Sequence, residues 1–150
     1  MPSARPAMPR VLVDTNLLIR MVAGTPTASP LYRLWRAGHF ELLISPRLLD
    51  ELAEVLDRPR LQRYLRPGAA NAFLALLRAE ATVITPTLHI TLCRDSKDDV
   101  LLEVAATGRA DYLVSADRDL TDDSHLKATM KAEYGVKVVT MSEFLPAFEE

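Results

Sequence analysis

Four acidic residues occupy positions at which a folded chain could do chemistry: Asp14, Glu51, Asp98 and Asp117. Each follows an apolar run or lies near the start of a helical segment, and more than a hundred residues separate the first from the last. Only folding would bring them together, which disfavours a role as ordinary surface charge. Converging carboxylates repel and raise one another's pKa values, so such a cluster predicts a bound cation. Oxygen ligands alone favour Mg²⁺ or Mn²⁺ over zinc.

A divalent ion held by these acids predicts the hydrolysis of a phosphodiester. Such ions generate hydroxide and neutralise charge on the attacked and leaving oxygens, in two-metal sites about 3.5–4 Å apart. We predict that Asp14, Asp98 and Asp117 hold the metal, while Glu51 holds a second ion or orients the attacking water. Asp119 is predicted either as a further ligand or as a cap of the segment that follows it.

Two uncharged polar residues lie next to the predicted ligands. Asn16 follows Asp14 by two positions, and Ser115 precedes Asp117 by two. Asn16 is predicted to orient a metal-bound water, and the alternative is that it caps the first helix. Ser115 is predicted to be a neighbour of the ligands at the end of its strand.

Short apolar runs alternate with helical segments along the chain. Strands are predicted at residues 11–14, 42–44, 82–84, 112–115 and 136–140, and helices at 15–22, 46–56, 98–107 and from 142 onward. Two more helices are expected between 58 and 79, separated at residues 67–68, with a helical or irregular stretch at 119–134. Continuously apolar strands that alternate with helices indicate a parallel sheet covered on both faces. We therefore predict an α/β fold, a three-layer α/β/α architecture with a central, mainly parallel five-stranded sheet. Ligands in such sheets bind beyond the carboxyl ends of the strands.

Helical periodicity places Glu51 on an apolar face. In the helix predicted at 46–56, Glu51 lies on the side of Leu48, Leu52 and Val55, because residues three or four apart share a face. A carboxylate that faces inward is costly unless it is paired or bound to a metal. The alternative to a metal is an arginine or a backbone amide that bridges Glu51.

The same periodicity distinguishes the acids around residue 98. Asp98 shares a face with Leu101 and is predicted to point toward the sheet, whereas Asp99 lines up with Glu103 on the solvated side. Asp95 precedes the helix and is expected to cap it. Of these acids, Asp98 is therefore the predicted ligand.

Length and composition indicate one folded domain. The chain has 150 residues, of which 49% are hydrophobic and 25% charged, and we assign residues 10–150 to one domain after a loose tail at 1–9. The tail lacks the apolar stretch of a secretory signal, and no run approaches the roughly 20 apolar residues of a membrane span. Cys93 is the single cysteine, so an internal disulfide is excluded and a cytoplasmic location is expected.

A net charge of −2 does not by itself indicate a nucleic-acid partner. However, 14 of the 18 basic residues are arginines, whose planar fork suits phosphate. The densest basic run is predicted to grip RNA phosphates and to stack a base, and it consists of Arg58, Arg60, Arg63 and Arg66 with Tyr64. The alternative is a solvated helical face.

The chain resembles the PIN domain family in three places: VLVDTN at residues 11–16, Glu51, and RDSKDDVLLEVAATGRADYLVSADRDL at residues 94–120. The resemblance spans about residues 10–148 and is closest to the VapC-type toxin components of bacterial toxin–antitoxin pairs. It implies that the family's acids correspond to Asp14, Glu51, Asp98 and Asp117, with Asn16 as the polar residue after the first acid.

This resemblance implies Mg²⁺- or Mn²⁺-dependent cleavage of single-stranded RNA, usually by a homodimer that a cognate antitoxin protein inhibits. The stretch at residues 121–134 is longer than in many members, which leaves the shape of the RNA groove open.

Other functions fit the sequence less well. A haloacid-dehalogenase-like phosphatase would carry an acid where Asn16 stands, and a receiver domain would carry a lysine where Thr140 stands. A PIN-like scaffold that binds RNA or a protein without cutting remains an alternative, which the presence of all four acids disfavours.

Overall fold

A sheet of five parallel strands forms the centre of the fold. The structure, a computed structural model, describes residues 8–24 and 29–148, with Ser29 described by its backbone alone. The strands lie side by side in the order third, second, first, fourth, fifth. They are β1 (Arg10–Val13), β2 (Glu41–Ile44), β3 (Thr82–Val83), β4 (Tyr112–Val114) and β5 (Lys137–Val139).

Helices connect the strands and cover the sheet. The α-helices are α1 (Thr15–Ala23), α2 (Ser29–Arg36), α3 (Pro46–Leu56), α4 (Pro59–Gln62), α5 (Ala69–Glu80), α6 (Asp99–Thr107), α7 (Arg118–Thr121), α8 (Ser124–Tyr134) and α9 (Met141–Phe144). Two 3-10 helices lie at Ser96–Asp98 and Leu145–Phe148. Helices α1, α3 and α5 contact one another, whereas α6 contacts β1, β4 and α8. The predicted three-layer α/β/α fold with a parallel sheet is confirmed.

The chain reverses its direction across the sheet between β1 and β4. It runs from β1 to β2 and then β3 on one side, and crosses over to β4 and β5 on the other. At such a reversal the loops beyond the strand ends diverge and leave a crevice, which is where ligands bind in open α/β sheets. Residues that directly follow β1 and β4 therefore border this crevice.

The central strands are apolar without interruption because both of their faces are covered. Residues 11–13 of β1, 42–44 of β2 and 113–114 of β4 are all buried. A strand that is buried on both sides gains from an apolar residue at every position, so it shows no alternation with polar residues. These runs were therefore visible in the sequence.

Local residue chemistry fixes the helix ends near the crevice. Asp14 caps α1, and Ser45 caps α3, in which Pro46 occupies the first turn. Gly108 ends α6, and a Cβ atom there would lie 3.0 Å from side-chain carbons of both Leu43 and Ile84. The missing side chain thus lets the end of α6 approach the sheet closely.

An extended segment at residues 87–93, called the strap below, lies along α6 and is held by side chains of that helix. Asp99 accepts hydrogen bonds from the backbone N–H groups of Leu92 and Cys93, at 3.1 and 2.8 Å. One turn further, Glu103 accepts from the N–H of Ile90 at 3.0 Å. After another turn, the Thr107 hydroxyl accepts from the N–H groups of residues 87 and 88. Acceptors spaced four residues apart therefore replace a partner strand.

The structure corrects one prediction about α6. Asp99 was expected on the solvated side, but it is buried, with 7% of its surface exposed, and it binds the strap together with Glu103. The prediction was wrong because α6 is buried almost all round, including Val100, Leu101 and Val104. Without a polar face, helical phase carries little information.

Several further predictions can be compared with the structure. The helix α2 was not predicted, whereas the two helices on either side of residues 67–68 are present as α4 and α5. The stretch at 119–134 contains α7 and α8. The predicted tail at 1–9 lies outside the described residues except for Met8 and Pro9. Among the helices that the structure describes, none is long and apolar enough to span a membrane.

Candidate active site

A cavity of about 350 Å³ lies at the carboxyl ends of the strands and contains all four predicted catalytic acids. Asp14 comes from the end of β1, Glu51 from α3, Asp98 from the turn before α6, and Asp117 from the loop after β4. The topology therefore gathers residues that are distant in sequence. The remaining lining residues are Thr15, Asn16, Leu48, Glu54, Val55, Arg58, Lys97, Val100 and Leu101.

Asp14 is the most buried of the four acids, with 4% of its surface exposed. Its Oδ1 atom accepts a hydrogen bond from the N–H of Leu17 at 3.0 Å, which caps α1. Its Oδ2 atom accepts from the N–H of Ala116 at 3.0 Å and from the hydroxyl of Ser115. These donors compensate the burial of the charge and fix the carboxylate between β1 and the loop after β4.

Ser115 links Asp14 to Asp117. The residue is fully buried, and its hydroxyl donates to Asp14 while it accepts from the N–H of Asp117 at 3.0 Å. Its own N–H donates to the carbonyl of Val139 in β5 at 3.0 Å. Ser115 therefore lies beside both predicted ligands, as the sequence suggested.

Asp117 is half-buried and begins α7. Its Oδ1 atom accepts from the N–H of Asp119 at 2.9 Å. Asp119 itself is exposed and does not belong to the lining of the cavity, so its role as an additional ligand stays a prediction.

Asp98 lies close enough to Asp117 and Asp14 to be repelled by their negative charges. The pKa of Asp98 is raised, first by partial burial and then by the negative charges of Asp117, Asp95, Asp119 and Asp14. A carboxyl that is surrounded by carboxylates binds its proton more tightly or gains from a cation. The raised pKa of Asp98 therefore reflects partial burial together with the negative charge around it.

Glu51 reaches the cavity, but the prediction that its carboxylate faces inward is wrong. Its side chain remains 46% exposed and forms an ion pair with Arg47 one turn earlier in α3, with 3.4 Å between Nε and Oε1. A pair this exposed contributes little to stability. Glu51 thus lies on the cavity wall at the edge of the apolar face, where neither a metal nor a buried partner is needed to compensate its charge.

Asn16 is exposed and lines the cavity, two residues after Asp14. The alternative that Asn16 caps the first helix is wrong, because Asp14 provides the cap. Asn16 is therefore free of that structural role and keeps its predicted position beside the acids.

The donor set suits a hard divalent ion, although it is not preassembled. Among the described residues, no group of three His, Cys, Asp or Glu side chains is arranged to hold a metal ion as it stands. Asp14, Asp98 and Asp117 nevertheless offer carboxylate oxygens around one cavity, and these are the ligands that Mg²⁺ and Mn²⁺ prefer. The residues fit such an ion in their chemistry.

Cys93 lies near the acids, in surroundings that disfavour its thiolate. Burial raises the pKa of its thiol far above the usual range, and the hydrogen bond to Asp99 and the charges of Asp99, Asp98 and Asp117 raise it further. A thiol becomes reactive when its pKa is lowered, so this environment disfavours a role for Cys93 as a nucleophile.

The predicted RNA-binding run is exposed, and its first residue reaches the cavity. Arg58 lines the cavity itself, and Arg60, Arg63, Arg66 and Tyr64 are exposed, Tyr64 by 74%. None of these four arginines forms an ion pair with another residue in the described ranges 8–24 and 29–148. Their charges are therefore available to a ligand.

Two charged lining residues were given no role in the predicted site. Glu54 is one of them, and it lies on the cavity wall with Glu51. Lys97 was given no role, although it immediately precedes Asp98 and lines the same cavity. The adjacency of Lys97 to a predicted ligand was the available signal.

Comparison with known proteins identifies the family of the chain. Residues 10–119 match the family described as PIN domain, a region that contains all four acids. The chain is also 29% identical over 150 residues to the protein named "Uncharacterized protein MJ1680" of Methanocaldococcus jannaschii, an alignment that covers 94% of this chain and 92% of that protein. The family match extends over more than half of the chain and over the strands and acids that build the cavity. The chain belongs to the PIN domain family.

Proposed function

We propose that this PIN domain is a metal-dependent endoribonuclease that cleaves single-stranded RNA. PIN domains are in general metal-dependent nucleases. The observation that carries the proposal is the convergence of Asp14, Glu51, Asp98 and Asp117 on one cavity at the point where the strand order reverses.

In the proposed reaction the acids have different tasks. Asp14, Asp98 and Asp117 hold Mg²⁺ or Mn²⁺, and Glu51 positions the attacking water or holds a second ion. When bound, the ion lowers the pKa of water and neutralises charge on the phosphate oxygens. Ser115 holds the carboxylate of Asp14 and the backbone of Asp117 at fixed positions relative to each other through its two hydrogen bonds. Asn16 orients the water from the exposed side of the cavity.

RNA is the proposed substrate because Arg58 in the cavity begins a run of exposed arginines that form no ion pair among the described residues, with Tyr64 in the same run. Arg58 lies in the cavity, and the exposed Tyr64 is suited to stack on an unpaired base.

Residues 10–150 are proposed to act as one domain, since β5 lies beyond the matched region and pairs with β4 next to the acids.

We further propose that the protein is the toxin of a type II toxin–antitoxin pair, acting in the cytoplasm as a homodimer. An apolar groove of about 390 Å³ beside α2, lined by Pro30, Leu34 and Phe148 among others, supports binding to another protein. Expression in a bacterial host should arrest growth, and the Asp14→Asn variant should not. Equal growth with both proteins would count against the toxin role.

The decisive experiment is cleavage of a mixed pool of single-stranded RNAs with Mg²⁺, with Mn²⁺ and with a chelator. Asp14→Asn should lower the rate by at least about a hundredfold, because one metal ligand is weakened at the reacting phosphate. Asp122→Asn provides the matched control, since Asp122 is exposed and pairs with Arg118 at 3.0 Å. Thermal unfolding of each variant checks that the fold persists. Unchanged metal-dependent cleavage by Asp14→Asn would refute the assignment.

A scaffold that binds RNA without cutting is the second candidate. It is favoured by the absence of a preassembled three-residue metal site among the described residues. Titration of RNA and metal into the purified protein distinguishes the two functions. RNA binding that persists with no cleavage of any RNA in the pool would support the scaffold.

A further inference from the structure

The acidic cavity also contains two cations, Lys97 and Arg58, which come from opposite layers of the fold. Lys97 lies in the 3-10 helix that leads into α6, whereas Arg58 follows directly after α3. Helix α6 contacts β1, β4 and α8, and α3 belongs with α1 and α5 on the other side. The cavity therefore has one cation on each of its two helical walls.

Neither cation is neutralised by a neighbouring acid. Within the described ranges 8–24 and 29–148, neither Lys97 nor Arg58 has a carboxylate oxygen within the 4.0 Å of an ion pair. Glu51 pairs instead with Arg47, and both cations are exposed. Unpaired cations at the rim of a carboxylate cluster are available to an anionic ligand.

Charge balance explains why a nuclease would need these two residues. The carboxylates of the cavity repel RNA phosphates, and the overall net charge of −2 provides no general attraction. Cations on the two walls would offset this repulsion locally, because they lie next to the phosphate that must approach the acids. The lysine acts as a mobile point charge, and the arginine fork can bind one phosphate through two hydrogen bonds.

We propose that Lys97 and Arg58 hold the phosphates on the two sides of the scissile bond, so that the RNA strand crosses the ends of β1 and β4 from the α6 layer to the α3 layer. This inference rests on the proposed function, because it takes single-stranded RNA as the substrate. Lys97 binds the phosphate on the side of the scissile bond where the RNA strand lies over α6. On the other side, Arg58 continues into the exposed Arg60 and Arg63, so contact with the RNA is longer there.

The proposal is tested by RNA binding in the Asp14→Asn background, measured by fluorescence anisotropy at several salt concentrations in Mg²⁺. Each lost phosphate contact reduces the slope of log K against log salt by roughly 0.7 for a single strand. Lys97→Ala should lower that slope by this amount and weaken binding about five- to tenfold, and Lys97→Arg should restore both. Lys131→Ala is the control, because Lys131 is an exposed lysine in a separate cleft with Pro9 and Asp111.

Identical salt slopes for Lys97→Ala and Lys131→Ala would overturn the proposal. With Asp14 restored, Lys97→Ala should raise the KM for RNA cleavage about five- to tenfold and change kcat little, because the contact exists before and during the reaction. If the protein with native Asp14 cuts no RNA but Lys97→Ala still lowers the slope, hydrolysis is refuted, whereas the contact between Lys97 and an RNA phosphate stands.

Discussion

At the scale of single residues, the ionised carboxylate of Asp98 opposes the stability of the metal-free protein. Partial burial and the surrounding carboxylates raise the pKa of Asp98 above its usual value of 3.8, which means that folding disfavours the ionised form. The folded state then binds its proton more tightly than the unfolded state does. The penalty is absent at acidic pH, where both states are protonated, and develops as the pH rises through the folded pKa.

Asp98→Asn is therefore expected to stabilise the metal-free protein at neutral pH. The gain should be small, roughly 1–3 °C in Tm, because solvent screens a half-buried carboxyl. Thermal unfolding with chelator at pH 7 and at a pH below 3.8 measures it, and the gain should vanish at the lower pH. Added Mg²⁺ should make the native protein more stable than Asp98→Asn, since the ion stabilises only the protein with the complete set of acids. A variant that is less stable than the native protein at pH 7 with chelator would contradict this account.

At the scale of elements, the strap determines where Asp98 lies. The strap leads directly into the 3-10 helix Ser96–Asp98, and Asp99 anchors its end through two backbone N–H groups. Buried amides that lose their acceptor retain the full cost of desolvation. The position of a predicted ligand thus depends on a neighbouring residue that faces away from the cavity.

Asp99→Ala should destabilise the protein by about 2–3 kcal/mol, because two amides lose a charged acceptor. Chemical denaturation measures the loss, and hydrogen exchange should accelerate at Leu92 and Cys93. Asp95→Ala is the comparison, since Asp95 is exposed and accepts one hydrogen bond, from the N–H of Lys97 at 3.0 Å. Equal losses in the two variants would mean that the strap is not held by Asp99.

The elements also show what the sequence could and could not reveal. Strand ends were predictable because buried parallel strands are apolar without interruption, so Asp14 and Asp117 stood out at their ends. The role of Asp99 was not, because its partners are backbone amides, which leave no trace in residue types. The burial of Glu51 was predicted wrongly. Helical periodicity shows on which face of a helix a residue lies, but how deeply that face is buried depends on what packs against it. Helix α2 was not predicted, and it contains none of the predicted site residues.

At the scale of the whole molecule, the sheet is complete only with residues beyond the family match. The match ends at residue 119, but β5 pairs with β4 along three residues, beginning with Tyr112 opposite Lys137. Phe144 is fully buried and packs edge-on against Tyr112, with 5.2 Å between ring centroids, and against Phe40 at 5.6 Å. The last part of the chain therefore contributes to the same core as the first.

A chain that ends at residue 119 should not fold stably. It would lose β5 and expose β4 as an edge, and it would lose buried side chains such as Leu126, Met130 and Phe144. Each fully buried side chain of this kind contributes roughly 1.5–3 kcal/mol, whereas a domain has only about 5–15 kcal/mol of net stability. Circular dichroism and thermal unfolding of the shortened chain test this, and a cooperative transition close to that of the full chain would disprove it.

The hydrogen bonds of Asp14 limit how its carboxylate would coordinate the proposed metal ion. A carboxylate has about four lone pairs, and those of Asp14 already accept from Leu17, Ala116 and Ser115. One acceptor site remains, on Oδ1. Asp14 can therefore coordinate a cation through one oxygen and keep its three hydrogen bonds. That arrangement favours a small octahedral ion that keeps several of its waters, such as Mg²⁺. Ca²⁺ takes 6–8 oxygen ligands and often both oxygens of a carboxylate, and would have to break the bonds that tie β1 to the loop after β4.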